Sequence, residues 1–179
     1  MVAIILALMV SANWATAEVA DSSANGFTVK TTLAIHAPPD EVYRKLIHNV
    51  GDWWNPEHTF SRDSHNLTIE EKPMGCFCEK LPNGGGVRHM QVVYLAPGKT
   101  LGMIGAIGPM QPLAATGSMR IQLSAADGAT KLEVVYAISF YLPTGMNTWA
   151  APVDSVIAEQ FTRLKNYVET GEPAGRKQP

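Results

Sequence analysis

The sequence holds only two cysteines, Cys76 and Cys78. Two thiols so close in the chain tie no distant segments together, which excludes a disulfide-stapled miniature scaffold. A bridge between them would also strain an extended strand, where both side chains project the same way. An excess of charge of one sign is missing too. The 14 Lys and Arg stand against 16 Asp and Glu, for a net charge of −2. No Lys/Arg cluster occurs, so the chain lacks the basic surface that nucleic-acid phosphates require. No apolar run reaches the roughly 20 residues of a membrane-spanning helix. Gly102, Gly105 and Gly108 recur at three-residue steps, but no Lys-Ser/Thr follows, so they form no phosphate loop. Gly-x-Ser-x-Gly, His-Glu-x-x-His and paired Cys-x-x-Cys patterns are all absent. The composition is not that of collagen, a coiled-coil rod or a disordered tail. What remains is 179 residues, 46% hydrophobic, enough for one domain with a real core.

The first 17 residues carry no charged side chain. Val2 to Val10 is an apolar run, and Ala15-Thr16-Ala17 fits a small-x-small cleavage site. The pattern is that of a secretory signal peptide over 1–17, and export to the periplasm or medium is the expectation. Residues 18–26 then read as a linker, 27–171 as the folded domain and 172–179 as a disordered tail.

Within the domain, Phe27 to Ala37 alternates, with Phe27, Val29, Thr31, Leu33 and Ile35 on one face of a strand. Pro38-Pro39 ends it, and Asp40-Glu41 open a helix through Ile47. Trp53 and Trp54 follow on a short second turn. Six strand candidates come next: 67–71, 75–81, 87–95, 100–107, 117–125 and 131–142. Asp127-Gly128 marks a tight hairpin, and the glycines of 100–107 suggest bulges or strong curvature. The longest helical pattern runs from Trp149 to Glu169. Val153, Val156, Ile157, Phe161, Leu164 and Val168 recur there at three- and four-residue steps. One long amphipathic helix beside one alternating antiparallel sheet implies an α+β helix-grip architecture, a curved sheet wrapped around the C-terminal helix. The space between them is a natural place for a small ligand.

This element order resembles the START-like or SRPBCC superfamily. So do Pro-Pro-Asp-Glu-Val-Tyr opening the first helix, Gly-Asp-Trp-Trp after it and the long final helix. Gly75-Cys76-Phe77-Cys78-Glu79, the glycine turn and Val87-Arg88-His89-Met90 resemble exported bacterial members of that superfamily. That branch is grouped with polyketide cyclase/dehydrase and lipid-transport proteins and with heat-shock ATPase activators. The resemblance implies binders, carriers, enzymes or interaction modules, and no single chemistry.

Three functional expectations follow. The first is binding or carriage of a small hydrophobic or amphipathic molecule, without cofactor, nucleic acid or permanent membrane span. Its candidate contacts are Trp53, Trp54, Glu79, His89, Met103, Met119, Tyr136, Phe140, Val153, Ile157 and Phe161. The second is a cyclase- or dehydratase-type enzyme in which Glu79, His89 and Tyr136 shuttle protons. If Leu81 pairs with Val87, then Glu79 lies opposite His89; a carboxylate so placed orients an imidazole, or simply forms a polar pair on a solvated face. The third is an interaction module akin to the heat-shock ATPase activators. Cys76 and Cys78 are expected as small buried hydrophobes, with soft-metal ligation as the lesser alternative.

Overall fold

In the computed structural model, which describes residues 14–175, the alternating segments are strands. β1 covers Ala15–Ser22 and β2 covers Gly26–Ile35. Two helices follow, α1 at Pro39–His48 and the single turn α2 at Val50–Trp53. Then come β3 (Leu67–Ile69), β4 (Cys76–Lys80), β5 (Gly86–Ala96), β6 (Thr100–Gly105), β7 (Thr116–Ala126) and β8 (Ala129–Ser139). The chain closes on α3, Asn147–Thr170. The strands form one antiparallel sheet in the order β1-β2-β8-β7-β6-β5-β4-β3.

Local chemistry explains the elements. Asp127 and Gly128 both have positive φ, which lets a two-residue turn join β7 to β8. Asp40 and Glu41 lie in the first turn of α1, at the positive end of its dipole. α3 buries Val153, Ile157, Phe161, Leu164 and Val168 along one stripe and stops at Gly171, whose φ of 80° suits a residue without a Cβ. At 1.5 Å per residue α3 is about 36 Å long, enough to cross the sheet. It packs mainly on β2. Buried side chains of this size each stabilise the fold by about 1.5–3 kcal/mol. No helix among the described residues is long and apolar enough to cross a membrane.

Several expectations change. Residues 18–22, read as linker, belong to β1, which pairs along β2 from Ala15↔Leu33 to Ser22↔Phe27. Every residue of β1 is exposed, so burial leaves no alternation to betray it. The expected leader lies mostly outside the described residues, which begin at 14. Residues 172–175, read as tail, turn back along α3, where Asn166 Nδ2 donates to the Pro173 carbonyl at 3.3 Å. Residues 176–179 lie outside the described residues.

The third change concerns the cysteines, expected as free hydrophobes or metal ligands. They form a disulfide, with Cα atoms 5.3 Å apart. Residues two apart in a regular strand stand about 6.6 Å apart, so β4 is gathered at this point. Neither sulfur is therefore a free thiol or thiolate ligand. The bulges expected in 100–107 lie instead in its partner β5. Val93 is the extra residue between Val92 and Tyr94, and His89 is the extra residue between Arg88 and Met90.

Candidate functional site

The extra residue at 89 decides the site. In a regular strand, neighbours face opposite sides of the sheet. Here Phe77 pairs with Met90 and Cys78 with Arg88, leaving His89 unpaired between them. His89 and Met90 are consequently both buried while Arg88 is exposed. The expected register, with Leu81 opposite Val87, does not occur; Glu79 is the partner of Val87. The bulge nevertheless turns the imidazole to the side that Glu79 faces. Glu79 Oε2 and His89 Nε2 stand 3.0 Å apart, with side-chain exposures of 0% and 5%. The pair lies on the inner face, not the solvated one.

A buried carboxylate needs donors, and Glu79 has three. Its Oε2 accepts from the Phe60 amide at 3.1 Å and from His89, and its Oε1 accepts from the Ser61 amide at 2.5 Å. Burial pushes its pKa up, but these hydrogen bonds outweigh burial and leave it below the ordinary glutamate value. His89 shifts the same way for the opposite reason. Burial holds it below the ordinary histidine value despite the neighbouring carboxylate. The resting pair is thus an ionised Glu79 and a neutral imidazole. Since the carboxylate only accepts, Nε2 carries the proton and Nδ1 keeps a lone pair. Nδ1 has no hydrogen-bond partner among the described residues.

His89 lies between two rings. Phe60 stacks on it at 5.9 Å and Phe77 is tilted against it at 5.2 Å. Trp54 packs edge-on against Phe77 at a centroid distance of 5.4 Å. Together these side chains line a pocket of about 340 Å³. Leu67, Phe77 and His89 come from the sheet, Ile107 to Met110 from the loop after β6, and residues 57–60 from the loop after α2. The N-terminal half of α3 supplies the facing wall through Trp149, Pro152, Val153, Val156 and Ile157. A wider recess of about 650 Å³ beside Asp40 and Lys99 is more open and has a larger polar share in its lining.

The loop after α2 is held from both sides. Asn55 donates its amide to Gln160 Oε1 at 2.8 Å and its Nδ2 to Glu159 Oε1 at 2.5 Å, both on α3. Glu159 Oε2 also pairs with His58 at 3.1 Å, and Trp54 Nε1 donates to the His58 carbonyl at 3.2 Å. Two and three residues further on, the Phe60 and Ser61 amides rest on Glu79. One carboxylate of β4 therefore positions both the imidazole and the Phe60 wall.

Of the residues singled out from sequence, Trp54, His89, Val153 and Ile157 line the pocket, and Glu79 stands behind His89. The others do not line it. Trp53 is buried with Nε1 on the Lys45 carbonyl at 3.1 Å and its ring near Phe161. Met103 and Met119 face each other across β6 and β7 in the core. Phe140 packs edge-on against Trp149. Tyr136 is fully buried, its hydroxyl 3.5 Å from the Gly105 carbonyl, and burial raises its pKa far above the usual phenol value. It makes no hydrogen bond to Glu79 or His89, so the three-residue proton shuttle is not assembled. Phe60, Phe77, Ile107 and Pro109 line the pocket without having been singled out. Phe77 was within reach, since it faces the same side as Glu79 two residues on; the loop residues carried no periodic signal.

No protein-family model matches the sequence, and none of the curated proteins does. Solved structures match the fold. A conserved protein of unknown function from Enterococcus faecalis aligns with TM-score 0.60 at 20% identity, covering 92% of this chain and 82% of that one. The Aha1 dimer from Colwellia psychrerythraea gives 0.59 at 20% identity over 80% of this chain and 97% of the other. DynU16, a protein of the dynemicin biosynthetic locus, gives 0.58 at 18% identity over 83% of this chain but only 49% of its own length. At such identities the likeness shows the architecture alone.

Proposed function

We propose that this chain, which has the START-like helix-grip fold, binds a small apolar molecule carrying one hydrogen-bond donor. The observation that carries the reading is the buried, neutral His89 on the wall of an otherwise apolar pocket. Liquid water would fill 340 Å³ with about eleven molecules, so a guest of one or two rings is the right size. Removing its apolar surface from water, at roughly 25 cal/mol per Å², would supply most of the affinity. The lone pair on His89 Nδ1 would accept from a hydroxyl or N–H and set the orientation. We place the protein outside the cytoplasm, on the leader pattern of residues 1–17.

A second reading is favoured by the same dyad. A carboxylate that orients a neutral imidazole is the arrangement of a general base, and DynU16 belongs to a biosynthetic locus. In that reading Glu79 and His89 act without Tyr136. An interaction role like that of the heat-shock ATPase activators has the likeness to Aha1 in its favour, but that role makes no use of the pocket.

The test uses naphthol and its methyl ether, followed by quenching of tryptophan fluorescence. Naphthol should bind about tenfold tighter, the worth of one hydrogen bond. Val156→Trp, at a half-buried position on the facing wall, should fill the pocket and abolish binding without unfolding the chain. Absence of naphthol binding, or binding untouched by Val156→Trp, would refute the reading. Turnover of a bound hydroxyl compound that is lost in His89→Gln would instead select the general-base reading.

A further inference from the structure

β4 shows two faces of different character. Phe77 and Glu79 point inward to the pocket wall and the dyad, while Cys76 and Cys78 lie on the outer face, partly exposed. The disulfide therefore sits directly behind Phe77. It closes a ring that encloses a single residue, so it removes very little freedom from the unfolded chain. It joins no two elements and extends no core. Its measurable effect is local, drawing the Cα atoms of 76 and 78 to 5.3 Å at the point where β5 bulges to display His89.

The surroundings of the two sulfurs differ. Arg88 is the cross-strand partner of Cys78 and is exposed, and Lys80 lies one step along the same outer face. The Cys76 amide donates to Glu70 Oε2 at 3.0 Å, which puts a carboxylate on the other side. The positive flank favours Cys78 as the sulfur that departs as thiolate.

We propose that Cys76 and Cys78 form a thiol–disulfide exchange site for small-molecule thiols, and that its redox state sets the shape of the pocket wall through Phe77. The thiolate of the incoming thiol attacks Cys76 Sγ. A new S–S bond forms, the old one breaks, and its electron pair leaves on Cys78 Sγ beside Arg88 and Lys80. A second thiolate attacks the small-molecule sulfur of this mixed disulfide and releases Cys76 as thiolate. Both released thiolates equilibrate with protons from water. The net change oxidises two small thiols to their disulfide and reduces the protein bridge to two thiols. Once reduced, β4 relaxes toward regular strand spacing. Phe77 then moves against Trp54 and His89, which it touches at centroid distances of 5.4 and 5.2 Å.

The full chain, freshly oxidised, is incubated with excess reduced glutathione and labelled with a maleimide under native conditions. Two labels per chain are expected, with re-formation of the bridge when oxidised glutathione is restored. Native protein that takes no label, while the denatured and reduced chain takes two, would show an inert structural bridge and overturn the exchange site. The second half is read without any pocket ligand, so it stands apart from the proposed binding function. The imidazole NMR resonances of His89 and the emission of Trp54 should both shift on reduction. Cys76→Ser/Cys78→Ser should reproduce the reduced positions and stay unresponsive to glutathione. Resonances identical in the oxidised, reduced and double-serine proteins would overturn the coupling to the pocket.

Discussion

Replacing Glu79 by glutamine tests the centre of the site with a nearly isosteric change. The carboxylate accepts three hydrogen bonds, two on Oε2 and one on Oε1. Glutamine offers one carbonyl oxygen and one NH₂. With its oxygen in the Oε2 position it keeps the Phe60 amide and His89, but the NH₂ then confronts the Ser61 amide. The reverse placement keeps Ser61 and orphans Phe60, even if His89 changes tautomer to accept. Every arrangement leaves one part-buried backbone donor without an acceptor. Such a donor costs about 1–3 kcal/mol, and the remaining bonds lose their charge assistance, so the total is about 2–4 kcal/mol. For a domain of this size each kcal/mol lowers Tm by about 2–4 °C. Urea unfolding of Glu79→Gln should show the midpoint shift, and naphthol binding should weaken because the Phe60 wall is no longer held. A stability change below about 0.5 kcal/mol, the range of ordinary surface substitutions, would refute the reasoning.

Acid should destabilise the protein earlier than carboxylates alone would allow. His89 has its pKa held below the ordinary value of about 6.5, chiefly by burial. The unfolded chain therefore binds the proton first, and stability falls as pH drops from about 6.5 through the folded value. Glu79, held below its ordinary value by the amides that outweigh burial, adds a further loss at lower pH. Urea midpoints between pH 7 and 5 should decline in the parent and flatten in His89→Gln; a flat parent profile would contradict the assignment. Gly105→Ala should cost about 2–3 kcal/mol by the same assay. Its φ is 142°, and a Cβ there would lie 2.6 Å from the His89 carbonyl oxygen; a neutral result would show the β5–β6 edge to be pliable. Tyr136→Phe should cost about 0.5–1.5 kcal/mol and leave naphthol affinity unchanged, since its hydroxyl is engaged with the backbone of Gly105 and Ile107 and not with the pocket. Loss of binding there would return Tyr136 to the site.

How much of this was legible depended on what burial imprints on side chains. β7, β8 and the first half of β2 each bury one face, and their period-two alternation is plain in the sequence; from Thr31 to Ile35 β2 is buried on both faces. α3 buries a stripe, and its spacing marks it from Asn147 to Thr170 within two residues at either end. β1 buries nothing, so its pairing with β2 rests on backbone bonds that composition does not encode. The loop from Asn55 to Ser61 forms a pocket wall only because Glu79, Glu159 and Gln160 hold it from elsewhere in the chain. Glu79 and His89 were both recognisable as candidates. Their meeting was not, because it depends on an irregularity rather than on the hairpin register.

That irregularity has an evolutionary side. Along the first half of β5, the imidazole faces inward only because one extra residue stands between Arg88 and Met90. Removing a single codon from the turn at 81–85 and restoring regular pairing would send the histidine out to solvent and bring the charged Arg88 opposite Glu79, toward the interior. A chemistry-bearing interior and an inert one are therefore separated, in this fold, by the smallest in-frame deletion a gene can undergo.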